Sequence, residues 1–207
     1  MSNDQPLSRP RYFTGRLLTA KDLEEEQNYF LEKHRRHNRW LHGYGTVWGL
    51  HTSVEGNVDQ GQSLIISPGL AIDRCGNEIL VPSTQMKSLP AEAEITAVRL
   101  TLCYKEITSE IVPVPGSPGN GESTQAAEII ESFQLCLGTQ EEASCVCPDQ
   151  GVQSLELAHL VKAPSGWSLD RTFLQPRLKR YDEKMVWIAV LIGASAGAVA
   201  AIFVRRH

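Results

Sequence analysis

The strongest constraint on this chain is a run without charged residues near its C-terminus, MVWIAVLIGASAGAVAAIFV at 185–204. Twenty residues in an α-helix rise by about 30 Å, which is the hydrocarbon thickness of a bilayer. The run lacks a polar face, so a helix built from it is a poor fit to the surface of a soluble core. We therefore expect one transmembrane helix at 185–204 and a separate folded body before it.

Two sets of residues in this segment have different predicted roles. The bulky apolar side chains are predicted to hold the helix in lipid, and these are Met185, Val186, Trp187, Ile188, Leu191, Ile192, Ile202, Phe203 and Val204. Small residues recur every four positions, and such a stripe lets two membrane helices approach closely. Helix–helix packing between copies is therefore predicted at Ala189, Gly193, Gly197 and Ala201.

The charges on either side of the segment predict its orientation. Four basic residues precede it, namely Arg177, Lys179, Arg180 and Lys184, whereas only Arg205 and Arg206 follow it. Positive flanks stay on the cytoplasmic side of a membrane. The N-terminus has no apolar run of signal-peptide length. We expect a tail-anchored, single-pass protein whose N-terminal body lies in the cytoplasm.

The remaining chain fits one modest domain rather than two. The 207 residues carry a net charge of -4, which gives no basic footprint for nucleic acid. We expect an N-terminal extension at 1–18, a long helix at 19–43, an antiparallel β-domain at 44–163 with an exposed loop at 113–124, and a juxtamembrane linker at 164–184. The fold class is thus mainly β with one long N-terminal helix, plus the C-terminal transmembrane helix.

Local patterns support these elements. Thr19 followed by Asp22 is a variant of the capping box that begins a helix. The stretch AIDRCGNEI at 71–79 predicts a tight hairpin, because Gly and Asn tolerate the positive φ that such turns need. Alternating apolar residues predict strands near 47–54, 63–67, 70–73, 78–82, 95–106, 128–137 and 155–162.

Nothing in the sequence predicts catalysis. It contains no nucleophile elbow, no phosphate-binding glycine loop after a strand and no carboxylate pair with catalytic spacing. His34, His37 and His42 could bind a metal, but no acidic residue beside them completes a zinc-protease arrangement. The chain is predicted to be non-enzymatic and to need no cofactor.

The five cysteines are an odd number at irregular spacing, which favours reduced thiols over a disulfide framework. A zinc site is the alternative for Cys145 and Cys147, joined by Cys136 or by Cys103, because thiolates at short spacing are good zinc ligands. No fourth ligand at recognisable spacing completes such a site, so no metal is predicted.

A basic cluster at the end of the predicted helix is the candidate partner interface, formed by Arg35, Arg36, Arg39 and Trp40. A solvated helix face is the alternative, because basic residues collect at helix C-termini for electrostatic reasons alone. Trp40, Tyr44 and Trp48 crowd the following turn, and this spacing favours a small aromatic core cluster over a ligand site.

Three stretches together carry a resemblance to a known group of proteins. They are RYFTGRLLTAKDLEEEQNYFLEKHRRHNRWLHGYGTVWGL at 11–50, LIISPGLAIDRCGNEILVP at 64–82 and EIIESFQLCL at 128–137. They resemble bacterial proteins that accompany baseplate components of phage-tail-like contractile injection systems. The resemblance covers residues 11–82 well and thins afterwards, and it carries no catalytic residue.

The resemblance implies a structural adaptor, present in several copies, that docks on baseplate proteins and attaches the particle to membrane lipids. The membrane would be a bacterial inner membrane or, in cyanobacterial systems attached to thylakoids, the thylakoid membrane. The alternative function is a tail-anchored binding module that displays a site for a ligand or peptide around Trp40, Tyr44 and Trp48.

Overall fold

In the computed structural model, the chain forms one N-terminal helix followed by antiparallel sheets. The structure describes residues 6–58, 61–92, 94–113, 124–139, 146–147, 151–152 and 154–178. The predicted transmembrane segment, its small-residue stripe and most of the predicted loop at 113–124 lie outside these residues. Within them, the predicted class, mainly β with one N-terminal helix, is confirmed.

The helix α1 spans Ala20–His37 and runs directly into a π-helical turn at Asn38–His42. Twelve strands follow within the described residues. They are β1 Gly45–Gly49, β2 Thr52–Asn57, β3 Gly61–Ile66, β4 Gly69–Ile72, β5 Glu78–Val81, β6 Gln85–Ser88, β7 Ala97–Pro113, β8 Thr124–Gly138, β9 Val146–Cys147, β10 Gly151–Val152, β11 Leu155–Ala163 and β12 Gly166–Leu169.

The described strands form three larger sheets and one short hairpin. The first sheet has the order β1-β4-β5, the second β2-β3-β6 and the third β12-β11-β7-β8, while β9 pairs with β10. The named pairings are all antiparallel. The strand predicted at 47–54 is in fact two strands in different sheets, because the backbone breaks at Leu50, a buried residue with φ of 52°.

One hydrophobic core joins the three larger sheets. The first sheet supplies Ala71, Ile79 and Val81, the second supplies Leu64 and Ile66, and the third supplies residues such as Val98, Leu100, Leu102, Leu155, Leu157 and Leu160. Alternate residues of β7 point into this core at Val98, Leu100 and Leu102, which is the period-two pattern of a strand. Leu50 lies in the same core and joins the first sheet to the second.

The third sheet extends beyond the core as a two-stranded ribbon. β7 and β8 stay in register from Arg99 opposite Gly138 to Pro113 opposite Thr124. β11 pairs with β7 only over residues 97–102. Within the described residues the ribbon therefore continues from residue 103 without pairing to β11, and its isoleucines Ile111 and Ile129 are exposed.

The segment expected to be a linker, 164–184, differs from that expectation in its described part, residues 164–178. Residues 166–169 form β12, which pairs with β11 at the edge of the third sheet. Trp167 of this strand is buried and donates from its ring nitrogen to the carbonyl oxygen of Pro90 at 2.9 Å. The body therefore continues past residue 163.

Candidate docking surfaces

The first turn of α1 is fixed by the capping box that the sequence predicts. The Asp22 backbone N–H donates to the Thr19 side chain, and the Asp22 carboxylate accepts from the Thr19 backbone N–H at 3.0 Å. Hydrogen bonds from Thr19 lower the pKa of Asp22 below its ordinary value, and Arg16 lowers it further. The start of α1 is thus stabilised by hydrogen bonds and an ion pair between residues that are close together in the sequence.

The residues before α1 fold back onto the helix through polar contacts. Arg16 forms an ion pair with Asp22 and donates to the carbonyl oxygen of Arg11 at 2.6 Å. The Tyr12 hydroxyl donates to Glu26 at 2.7 Å, and this hydrogen bond raises the pKa of Tyr12 above its ordinary value. These contacts hold the extension in place without burying its apolar side chains.

Apolar side chains of the extension and of α1 are left exposed, and we call them together the N-terminal hydrophobic surface. Its members are Phe13, Leu17, Leu18, Leu23 and Phe30, all of them exposed. Leu17 is 82% exposed, and α1 has no buried residue along its whole length. An amphipathic helix normally buries its apolar face, and exposed apolar side chains in such numbers are typical of interaction surfaces.

The opposite end of α1 is bound firmly to the hairpin turn between β4 and β5. Asn38 is buried and donates to the Gly76 carbonyl oxygen at 2.9 Å. Arg35 donates to the Asn77 side chain at 2.7 Å, and Arg39 donates to the Cys75 carbonyl oxygen at 2.6 Å. The helix therefore projects from a fixed base.

The turn itself is shaped for this contact. Gly76 has φ of 88°, and a Cβ there would collide with the Arg35 carbonyl oxygen. The Asp73 carboxylate accepts from the backbone and the side chain of Asn77, each at 2.8 Å. Burial raises the pKa of Asp73 above its ordinary value, against the opposing effect of these hydrogen bonds. The predicted hairpin is confirmed, and its glycine also makes room for the helix backbone.

The four residues of the candidate partner interface are placed in different surroundings. Arg35 and Arg39 donate to the turn described above, and Arg35 also forms ion pairs with Glu32 and Glu106. Arg36 is half-buried, whereas Trp40 is 66% exposed. Two of the three arginines thus serve the fold, and the sequence could not reveal this because their acceptors lie about 36 to 42 residues further along the chain.

The predicted aromatic core cluster is wrong. Trp40, Tyr44 and Trp48 are all exposed rather than packed together in the core. The Tyr44 ring instead lies under the guanidinium group of Arg74, 4.1 Å from its centroid. The π-helical turn and β1 place these aromatic side chains on the outside, because the short β1 buries only its first residues, Gly45 and Thr46.

The cysteines also differ from expectation. Cys75 and Cys103 are buried and disulfide-bonded, so the prediction of reduced thiols is wrong for these two. Irregular spacing in the sequence hides such bonding, because it depends on which elements the tertiary fold brings together. Cys136 is a free thiol in β8, Cys147 lies in β9, and Cys145 lies outside the described residues.

No metal site is found among the described residues. They contain no group of three or more His, Cys, Asp or Glu side chains that could hold a metal ion. His34 lies 3.2 Å from the Glu78 carboxylate, while the rings of His37 and His42 contact each other edge to face. His34 thus contacts the β-body, whereas His37 and His42 contact each other.

The end of the described chain returns to the first sheet. Thr46 donates from its backbone to the Pro176 carbonyl oxygen at 2.8 Å and accepts from the Leu178 N–H at 2.9 Å, which pairs this segment with β1 in parallel. Gln175 adds a hydrogen bond to the Thr46 hydroxyl at 2.9 Å. Leu178 lies against Gly43. Residues 175–178 therefore lie beside β1 and the π-helical turn.

No helix within the described part of the chain combines the length and the apolar character needed to cross a bilayer. The predicted anchor at 185–204 and the six residues before it lie outside that part.

Comparison with solved structures places this fold among baseplate proteins of the type VI secretion system. The chain is similar to a chain of the TssK–TssF–TssG baseplate subcomplex, with 14% identity, a TM-score of 0.51, and coverage of 82% of this chain and 62% of that one. It is also similar to a chain of the type VI baseplate complex, with 15% identity, a TM-score of 0.50, and coverage of 84% and 42%. At such identity the likeness concerns the fold.

The chain spans between two fifths and two thirds of the length of these structural relatives. No family model and no curated protein matches its sequence. Both structures are of type VI secretion baseplate assemblies, and what the chain shares with them is the fold.

Proposed function

We propose that this protein is a non-enzymatic structural adaptor that docks on the baseplate of a contractile injection system and attaches it to a membrane. The docking site is the N-terminal hydrophobic surface, and the attachment is the segment 185–204. The observation that carries the proposal is a helix with no buried residue, on a fold that is shared with type VI baseplate proteins.

The placement of the N-terminal hydrophobic surface supports docking. Hydrogen bonds hold both ends of α1, at Thr19 and at Asn38, so the helix is pre-organised before any partner arrives. Pre-organisation lowers the ordering cost of association. Exposed leucine and phenylalanine side chains on such a helix suit an apolar groove of a partner protein. Baseplate proteins are the partner class that we propose.

The sequence of the tail supports membrane attachment. Its length matches a bilayer, and the excess of basic residues before it favours a cytoplasmic body at a bacterial inner membrane or a thylakoid membrane. Several copies around one particle would hold it by avidity, without requiring strong individual contacts. The stripe Ala189, Gly193, Gly197 and Ala201 would bring neighbouring anchors together.

The test is affinity purification of the full-length protein from gently solubilised native membranes, with electron microscopy of the eluate. Contractile particles are expected with the native chain. The double variant L23D/F30D should lower particle recovery more than tenfold, since two central apolar anchors at an interface each contribute about 2 kcal/mol. Its protein should still sediment with membranes.

The matched control is K21A/E25A, which removes an exposed ion pair from the same helix and should leave particle recovery unchanged. Deletion of residues 185–207 should release particles from the membrane fraction without disrupting their contact with the body. Particles that remain on membranes after this deletion would contradict the anchor. Equal particle recovery with L23D/F30D and with the control would contradict docking through α1.

A further inference from the structure

The first sheet has an exposed outer face next to the point where the described chain ends. Trp48 lies opposite Leu70 on β4, which in turn lies opposite Leu80 on β5. Directly opposed residues of antiparallel strands point to the same side of a sheet. Trp48 and Leu80 are 46% and 55% exposed, so this row is open to the outside.

The other side of the same sheet is the core side. Thr46 lies opposite Ala71, and Ala71 lies opposite Ile79, and all three are buried. The two faces therefore have distinct environments, and the apolar row Trp48, Leu70 and Leu80 is the outer one. Apolar side chains are unusual there, since exposed alternate positions of a half-buried sheet are ordinarily polar.

The π-helical turn, which precedes β1 in the chain, carries further exposed apolar side chains. Trp40 and Leu41 are exposed on the turn, and Tyr44 follows just before β1. We call Trp40, Leu41, Tyr44, Trp48, Leu70 and Leu80 the outer aromatic face. Tryptophan and tyrosine are the residues that concentrate at the membrane–water interface, where an apolar ring with a polar edge is accommodated at the headgroup level.

The path of the chain brings this face close to any membrane that the tail enters. Leu178 is fixed against Gly43 and β1, and only six residues separate it from Met185. A fully extended chain advances at most about 3.6 Å per residue, so the body stands within about 25 Å of the start of the anchor. Hydrogen bonds at Thr46 fix residues 176–178, the last that the structure describes, at the edge of the first sheet.

The charges around the outer aromatic face suit anionic headgroups. Arg74 is exposed and covers the Tyr44 ring, and Arg177 is exposed beside His51 at the chain exit. The carboxylate of the same sheet, Glu78, is engaged by Asn38 and His34. Three more basic residues, Lys179, Arg180 and Lys184, follow in the sequence before the anchor. Basic residues at the cytoplasmic surface are attracted to anionic lipid.

We propose that the outer aromatic face lies on the membrane surface, with Trp40 and Trp48 at the headgroup level of an anionic bilayer, so that the body is held flat beside its anchor. This inference rests on the membrane attachment in the proposed function. It adds a second, peripheral lipid contact and fixes which side of the body faces away from the membrane.

The test uses full-length protein reconstituted into vesicles of phosphatidylcholine and phosphatidylglycerol, with or without brominated acyl chains. The protein carries W187F, which removes the tryptophan of the anchor, while buried Trp167 serves as a constant background. Brominated lipid should quench a third or more of the emission. The variant W187F/W40F/W48F should lose this quenching, because Trp167 is enclosed in the body.

The matched control adds the substitution M86W to the triple variant, which places one exposed tryptophan away from the outer aromatic face. Met86 is suitable because it is exposed on β6 of the second sheet. The added tryptophan should not be quenched. Replacing phosphatidylglycerol by neutral lipid should weaken the quenching of Trp40 and Trp48 without releasing the protein from vesicles.

The outcomes separate the two proposals. Protein that does not stay with the vesicles overturns both the anchor and this inference. Vesicle-bound protein whose Trp40 and Trp48 emission is not quenched overturns this inference alone. In that case, light scattering in detergent compares the particle size of the W187F protein with that of W187F/W40F/W48F. A smaller particle for the triple variant would show that the outer aromatic face is a contact between copies and not a lipid contact.

Discussion

The β-body and the helix α1 differ in what holds them together. In the body, side chains from three sheets meet in one core, and Leu64, Ile66, Leu100 and Leu102 are fully enclosed. In α1 no residue is buried, and the helix depends on its cap at Thr19 and on the hydrogen bonds of its last turn to the loop at 73–77. The difference separates the residues that stabilise the fold from those available to a partner.

The largest difference in the free energy of unfolding is expected between a leucine of the β-body and a leucine of α1. The substitution L100A removes a completely buried side chain from β7 and should lower the free energy of unfolding by about 2–5 kcal/mol. The substitution L23A on α1 should change it by no more than about 0.5 kcal/mol, since Leu23 is exposed. Urea unfolding followed by intrinsic fluorescence measures both. Similar losses would mean that α1 packs against the body in solution.

The disulfide-bonded cysteines extend the comparison to covalent contacts of the body. The variant C103S should lower the free energy of unfolding by about 2–5 kcal/mol, the usual cost of losing a native disulfide. The variant C136S changes the free thiol of β8 and is the control, with an expected effect below about 1 kcal/mol. Thermal unfolding with and without reductant compares them. An unfolding temperature of the native chain that does not change with reductant would contradict the disulfide bond.

The contact between the end of α1 and the turn at 73–77 of the β-body is tested by glycine substitutions. Gly76 and Gly61 have nearly the same positive φ, of 88° and 90°. A side chain at Gly61 would meet open space, whereas one at Gly76 would collide with the backbone of α1. The substitution G61A should cost about 1 kcal/mol of strain alone, and G76A should cost at least twice as much. Equal costs would show that the helix end does not rest on this turn.

The smallest effect on the free energy of unfolding is expected at the N-terminal end of α1. The substitution T19A removes the N-cap, which should cost about 1 kcal/mol of helix stability. Global unfolding should hardly change, while amide exchange in the first turns should become faster. An unchanged exchange rate would mean that other contacts fix this end.

The same cap predicts a pH dependence. Hydrogen bonds from Thr19 lower the folded pKa of Asp22 below the ordinary value of 3.8. A lowered folded pKa means that the stabilisation is present above 3.8 and is lost as the pH falls through the folded pKa. Helicity should therefore decrease below about pH 3.8. In T19A the pKa of Asp22 should return towards its ordinary value, as titration by NMR would show.

Local features were predictable where the determinants lie close together in sequence. The capping box joins residues three apart, and the hairpin turn at 73–77 depends on Gly76 and Asn77 within the turn. The ribbon was only partly predictable. Its core half shows alternating burial, but Ile107, Ile111 and Ile129 are exposed, so no inward-facing pattern marks how far β7 and β8 extend.

Features that depend on distant contacts were predicted poorly. Arg35 and Arg39 looked available to a partner, because their acceptors in the turn are remote in sequence. Trp40, Tyr44 and Trp48 suggested a core by their composition, yet the neighbouring core is already filled by aliphatic side chains such as Leu50 and Ala71. Hydrophobicity alone does not tell a core residue from an interface residue.

The short parallel pairing of Thr46 with residues 176–178 has a mechanical consequence. Any tension on the chain beyond Leu178 reaches these two backbone hydrogen bonds before it reaches the core. The adjoining bonds from Gln175 to Thr46 and to the Leu50 carbonyl oxygen share that load. Under the proposed function, a particle that pulls against an anchored tail would therefore load this edge of the first sheet before it loads the core.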